Sequence, residues 1–230
     1  MGTGESAPGA ASGATGPRTW RDAGAADCDG AIRNNLIAWN SAGGVAGGLY
    51  DCDGLIENNV IYGNKGYDLY VFDFIPGPGG VYSCSGVLKN NIIWNNTPAT
   101  QGQIGRSTAP VYCCVEGYGG SGTGTLNLDP RFVDPEAMDF RLLPDSPCID
   151  AGGAVDGKAY PDFLGRSRPV DAAATPRGDG SDIDIGIIEY IDEDFILGIE
   201  AHLLGRTGVE VEGLDVNGDG RIDVGDVVGF

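Results

Sequence analysis

The sequence predicts an all-β fold, a right-handed parallel β-helix in which the chain winds as a solenoid of stacked coils. Three observations lead there. A ten-residue block recurs in order: Cys28 to Ile37 reads CDGAIRNNLI, Cys52 to Ile61 reads CDGLIENNVI and Cys84 to Ile93 reads CSGVLKNNII. The match extends forward to Asn40, Asn64 and Asn96, and backward to Leu49-Tyr50, Val81-Tyr82 and Val111-Tyr112 ahead of Cys52, Cys84 and Cys114, at spacings of 24, 32 and 30 residues. Finally, short β-prone pairs alternate with Asn-Asn and Gly without helical periodicity, and 40 glycines supply tight turns.

Each element follows from that pattern. A coil of about 24 residues suits three short strands and three turns, and one coil cannot bury its own inner face, so coils must stack. Stacking at roughly 4.8 Å places equivalent side chains above each other. Ile32, Ile56 and Leu88 then form an inward aliphatic ladder, with Arg33, Glu57 and Lys89 alternating outward. One asparagine of each pair takes the left-handed turn and the other bonds the coils above and below. The cysteines at the repeat position form a ladder of buried thiols; if any disulfide forms, Cys113 with Cys148 is favoured, because both are read as lying outside that ladder. Asp68 to Gly80 and Thr97 to Pro110 are expected to leave the coil as loops. Tyr67, Tyr70, Phe72 and Phe74 are candidates either to stack on sugar rings or to pack over the coil's edge.

Residues 1–24 read as a flexible linker, because Met1 to Pro17 is mostly Gly, Ala, Ser and Thr without the basic start and apolar stretch of a signal peptide. Residues 25–190 hold the coils and their cap. Pro130, Pro135, Pro144, Pro147 and Pro169 suit irregular capping loops, and Asp129, Asp134, Asp139, Asp145 and Asp150 are expected to cap turns. A carboxylate pair for acid–base catalysis is the sharper reading of those aspartates, but spacing alone does not support it.

Residues 191–230 form a different unit. Phe195, Ile199 and Leu203 recur every four residues as on a short α-helix, and Gly205 suits its stop. His202, the chain's only histidine, lies on that pattern without a visible catalytic partner. Asp215, Asn217, Asp219, Arg221, Asp223 and Asp226 follow the oxygen-ligand spacing of an EF-type loop, with Gly220 at the sharp turn and Arg221 offering its backbone carbonyl. Oxygen-only ligands of this kind select Ca2+. The full expectation is therefore an all-β parallel β-helix with a capping segment and a short α-helical EF-like calcium module.

Two family resemblances follow from these residues. The segments Cys114-Val115-Glu116-Gly117, Asp129-Pro130-Arg131-Phe132, Ser146 to Gly152 (SPCIDAG), Arg168-Pro169 and Asp184 to Tyr190 (DIGIIEY) resemble the C-terminal part of bacterial surface β-helix proteins of the choice-of-anchor Q type, across residues 28 to 190. The 215–226 loop, with Asp in place of Glu at its last position and an IDVGDVV tail, is similar to a dockerin type I repeat; only one such loop is clear, where dockerins normally carry two. The first resemblance implies a secreted or cell-surface location and a C-terminal attachment module, without implying a reaction. The second implies a cohesin-like partner.

Composition narrows the partners. Fourteen Lys+Arg stand against 33 Asp+Glu, a net charge of -19 that repels nucleic acid and anionic lipid. No apolar run is long enough to span a bilayer. No C-x-x-C pair occurs, which argues against zinc. The favoured function is an extracellular scaffold that contacts a polysaccharide or cell-surface glycan. The alternative is a fragment of a polysaccharide lyase or glycoside hydrolase whose active site lies in coils outside this chain. A lyase needs a basic side chain over an acidic groove, and Lys65, Lys89 and Lys158 are the only lysines.

Overall fold

A computed structural model describes residues 23–42, 46–66, 77–98, 102–155, 160–170 and 177–191. It divides into two units: Met1–Pro130 with Ile185–Ile187, and Arg131–Asp184 with Ile188–Phe230. Residues 192–230 lie outside the described part, and with them the expected helix and calcium loop.

The first unit is a β-helix-like solenoid of parallel strands. Its coils run β1 (Ala25–Ala26), β2 (Ile32–Arg33), β3 (Leu36–Ala38); β4 (Leu49–Tyr50), β5 (Ile56–Glu57), β6 (Val60–Tyr62); β7 (Val81–Tyr82), β8 (Leu88–Lys89), β9 (Ile92–Trp94); and β10 (Ile104–Gly105) with β11 (Cys114–Val115). They form three parallel sheets: β1-β4-β7-β10, β2-β5-β8, and β3-β6-β9-β11. The register is the repeat itself: Ile32 opposes Ile56, which opposes Leu88. Ile37, Ile61, Ile93 and Val115 fill the interior with Leu49, Val81 and that aliphatic ladder.

The strands are short because every coil turns three corners, and each corner has the same construction. A residue with φ between 48° and 63° turns the chain: Asp27, Asp51, Ser83 and Arg106 at the first corner, Asn34, Asn58, Asn90 and Tyr112 at the second, Trp39, Gly63 and Asn95 at the third. Most are Asn or Asp, which tolerate this conformation best after glycine. The next residue points inward and carries a polar ladder atom. At the second corner the Asn35 N–H donates to Asn59 Oδ1 (2.9 Å), Asn59 N–H to Asn91 Oδ1 (3.0 Å), and Asn91 N–H to Cys113 Sγ (3.3 Å). At the third, Asn40 N–H donates to Asn64 Oδ1 (3.0 Å), Asn64 N–H to Asn96 Oδ1 (2.9 Å) and Asn96 N–H to Gln103 Oε1 (3.0 Å). The first corner uses sulfur: Cys52 N–H donates to Cys84 Sγ (3.4 Å), and Cys84 N–H to Ser107 Oγ (2.9 Å). The side-chain amides work backward as well; Asn59 Nδ2 donates to Ile32 O (2.8 Å) and Asn91 Nδ2 to Ile56 O (2.7 Å).

Four expectations change. Thr97 to Pro110 does not leave the solenoid as a whole: Ile104–Gly105 pairs with Val81–Tyr82, and Ser107 ends the cysteine file. Cys114 is not the fourth ladder cysteine; it opposes Ile92, while Cys113 takes the asparagine position. The Val111-Tyr112 match to Val81-Tyr82 is therefore coincidental, since Val111 bridges Lys89. All six cysteines are free, so the favoured Cys113–Cys148 bridge is not formed. Glu57 alternates outward as expected but is 2% exposed, with Arg33 Nε 3.3 Å from its carboxylate.

The outer face of the third sheet is apolar at Leu36, Val60, Ile92 and Cys114, all buried. Ile185–Ile187 covers part of it. The Gly186 N–H donates to Asn90 O (2.9 Å), and a Cβ there would stand 2.8 Å from Ile92 Cδ1 at φ 111°, so only glycine fits.

In the second unit β12 (Phe132–Asp134) and β13 (Asp139–Leu142) form an antiparallel pair. They are joined by a 3₁₀ turn, Pro135–Ala137, whose N-cap is Asp134. Asp134 and Asp139 each accept a nearby backbone N–H, as expected of turn-capping aspartates, whereas Asp145 instead pairs with Arg131 at 2.8 Å. Among the described residues there is no α-helix.

Replacing Asn59 by Ala removes the acceptor of the half-buried Asn35 N–H and the donor to Ile32 O. At about 1–3 kcal/mol for each stranded group, the variant is expected to lose about 3 kcal/mol in urea unfolding, whereas Asn95→Ala at an exposed corner should lose less than about 1 kcal/mol.

Candidate functional site

The six expected calcium ligands, Asp215, Asn217, Asp219, Arg221, Asp223 and Asp226, lie outside the described residues, as do His202, Lys158 and the aromatic residues Tyr67, Tyr70, Phe72 and Phe74. Among the described residues, no group of three His, Cys, Asp or Glu side chains is placed to hold a metal ion. Two other features carry chemistry: the aromatic side chains on the outer faces of the solenoid, and a buried acid cluster in the second unit.

The aromatic faces follow from register. Ala38, Tyr62 and Trp94 occupy one row of the third sheet, and Trp39, Gly63 and Asn95 the corner row beside it. Trp39 is 40% exposed. Its ring meets Tyr62 edge-on at 5.7 Å and lies over Gly63, where a Cβ would come within 3.1 Å of Trp39 ring atoms. Asn95 Nδ2 donates to the Tyr62 hydroxyl (3.1 Å), and the Asn95 N–H donates to Glu116 Oε2 (2.8 Å). The result is a partly exposed indole set edge-on to Tyr62, two coils from the exposed Asn95 of the same corner row. On the first sheet Tyr50 and Tyr82 stack at 6.3 Å with 10° between planes, and the Arg106 guanidinium lies 5.8 Å from the Tyr82 ring centre. Coil-to-coil spacing produces this stacking without further design.

Sequence reasoning placed the aromatic contacts on the excursions between repeats. The signal for the sheet-face set was present: Tyr62 and Trp94 each follow their repeat cysteine by the same ten residues.

The acid cluster joins Asp162, Arg168, Asp184 and Glu189, all buried. Arg168 Nη1 lies 3.1 Å from Glu189 Oε1. Glu189 also accepts the N–H groups of Asp184 (3.2 Å) and Val170 (3.4 Å). Asp184 accepts those of Asp150 (2.7 Å) and Tyr190, and Asp162 accepts those of Leu164 (2.8 Å), Arg166 (2.8 Å) and Glu189 (3.1 Å). Burial pushes the Asp184 carboxyl well above the usual carboxylate range, and the Glu189 charge adds to that. Burial likewise raises Glu189 to about 7 against the pull of Arg168. A raised acid beside a second carboxyl resembles an acid–base pair, but here each carboxylate is filled by backbone donors and closed to solvent. The cluster holds irregular backbone in place where no regular sheet could pair it. Asp184 and Glu189 were legible as one terminal motif; Asp162 carried no signal.

Comparison with protein-family models, with curated proteins and with solved structures finds no match to this chain.

A Glu189 that ionises near 7, against an ordinary 4.5, binds a proton on folding between those values. Stability is then greatest at the acid end of that window and falls as pH rises from about 4.5 to 7. Carboxyl-carbon NMR should give a Glu189 midpoint near 7, and Glu189→Gln should flatten the fall in urea midpoint; a Glu189 midpoint below 5 would mean that Arg168 and the backbone donors outweigh burial.

Proposed function

We propose that this chain is an extracellular or cell-surface scaffold. In this reading it contributes coils of a right-handed parallel β-helix and is attached through a calcium-binding, dockerin-like module at residues 191–230. The single observation that carries the scaffold reading is where the inward polar groups go. Along all three corner files they bond to the next coil, and the buried carboxylates of the second unit bond to backbone. Lys65 is exposed and bridges Ser41 and Thr97 of the neighbouring coils. What the outer surface offers instead is positioned aromatic rings, and ring faces beside amides suit the C–H faces and hydroxyls of pyranose sugars. Trp39, Trp94 and Asn95 are the contacts this reading assigns. A surface carrying -19 charges favours neutral glycans over acidic ones.

The attachment reading rests on the loop spacing alone. Asp215, Asn217, Asp219, Asp223 and Asp226 bring side-chain oxygens and Arg221 a carbonyl, the hard-donor set that Ca2+ requires. A module of this size has little core, so the ion would supply much of its folding free energy, and a cohesin-like partner would read the calcium-loaded form.

Calorimetric titration with CaCl2 should show one site per chain, weakened at least tenfold in Asp226→Ala. The same protein should bind a neutral polysaccharide, less tightly after Trp39→Ala, and should release no reducing ends or unsaturated products. Cleavage of any polysaccharide would replace the scaffold by an enzyme, and heat signals unchanged in Asp226→Ala would remove the calcium loop.

A further inference from the structure

Cys28, Cys52 and Cys84 occupy one file at the first corner, each one residue after a left-handed turn at Asp27, Asp51 or Ser83. The backbone stays in register past the strands: Ala26 opposes Tyr50, and the Asp53 N–H donates to Cys28 O (2.9 Å). In-register neighbours about 4.8 Å apart fall inside the ~4.4–6.8 Å range that a disulfide spans. The thiols also point the same way. Cys28 Sγ lies 3.4 Å from Ala26 O, Cys52 Sγ 3.4 Å from Tyr50 O, and Cys52 Sγ reaches back to Ala25 O of the preceding coil at 4.0 Å. The Cys52 N–H donates to Cys84 Sγ (3.4 Å), so the thiols of this file follow one another from coil to coil. Access distinguishes them: Cys28 is half-buried, and the other five cysteines are buried.

We propose that Cys28 and Cys52 form a thiol–disulfide exchange site, in which a small-molecule disulfide enters at Cys28 and leaves a Cys28–Cys52 bridge that staples the first coil to the second. The Cys28 thiolate attacks one sulfur of the incoming disulfide, whose S–S bond breaks and expels one thiolate. That thiolate takes up a proton and leaves Cys28 in a mixed disulfide. The Cys52 thiolate then attacks Cys28 Sγ and expels the second small thiol. Two protein thiols are oxidised, and one external disulfide is reduced to two thiols. Cys84 lies one coil further along, behind Cys52 and against Ser107, so it does not meet the mixed disulfide. The bridge closes a loop whose ends are 24 residues apart, and its short span keeps it reducible by the reverse reaction. Burial and the neighbouring Cys52 hold the Cys28 thiol up at about 11, which slows entry at neutral pH.

The test is to incubate the whole chain with glutathione disulfide, alkylate, digest with trypsin without reduction and map the linked peptides. Cleavage after Arg21, Arg33, Lys65 and Lys89 puts the three cysteines in separate peptides. The expected product joins Asp22–Arg33 to Asn34–Lys65. It forms roughly ten times faster per pH unit between 7 and 9, disappears in Cys28→Ser and persists in Cys84→Ser. The thermal midpoint of wild type should rise on oxidation, and that of Cys28→Ser should not. A main product joining Asn34–Lys65 to Gly66–Lys89 would overturn the proposal. So would wild-type Cys28 remaining in a mixed disulfide while Cys52 alkylates after unfolding.

Discussion

A coil that turns sharply three times brings a backbone N–H inward at each corner, into an interior lined by Ile, Leu and Val. Such a donor left unpaired costs about 1–3 kcal/mol. The next coil answers it with a side-chain acceptor at the same position. Asparagine suits this role because its oxygen takes the N–H from the preceding coil, while its NH₂ returns a bond to that coil's carbonyl, as Asn59 does with Asn35 and Ile32. The left-handed residue before each acceptor follows from the same need, since it aims the acceptor inward. The short strands, the strict register and the aliphatic ladder all depend on those corners.

The files end by substitution. Ser107, Cys113 and Gln103 take the cysteine and asparagine positions and still offer an acceptor to the last N–H of each file. Beyond them the chain abandons periodic coils. The second unit satisfies its backbone with buried carboxylates instead, and Asp162, Asp184 and Glu189 together accept seven N–H groups. Aspartate and glutamate can do this away from a repeating lattice because one carboxylate accepts several bonds at unequal angles. The cost is a buried charge set, offset by Arg168 and by the raised affinity for protons.

The repeat made the coils legible. Ile32, Ile56 and Leu88 oppose each other as expected, and of each Asn pair the first turns while the second bonds. Two things were not legible. The fourth coil was misread because its corner residues are Ser107 and Cys113: ladder function is set by an acceptor atom at the right place, and residue identity is only its commonest expression. The burial of Glu57 was missed because alternation reports which side a residue faces and not what lies over that side. The candidate sugar-contact surface was half legible, since Tyr62 and Trp94 share an offset within the repeat but Trp39 enters only at a corner, where Gly63 leaves room for its ring. The expected calcium loop has the clearest ligand spacing in the chain, and its residues lie outside the described structure.

A corner-bonded solenoid is one physical account of the fold: polar side chains at the corners bond from coil to coil and hold the coils together. Native-state hydrogen exchange tests its central claim most directly. If the side-chain files carry the fold, the amides of Asn59, Asn64 and Asn91, which are bonded only to side chains of the next coil, exchange with the slowest strand amides, at the free energy of global unfolding. Exchange of those amides as fast as at exposed Asn95 would mean that the corners open on their own, and that the aliphatic interior holds the coils without them.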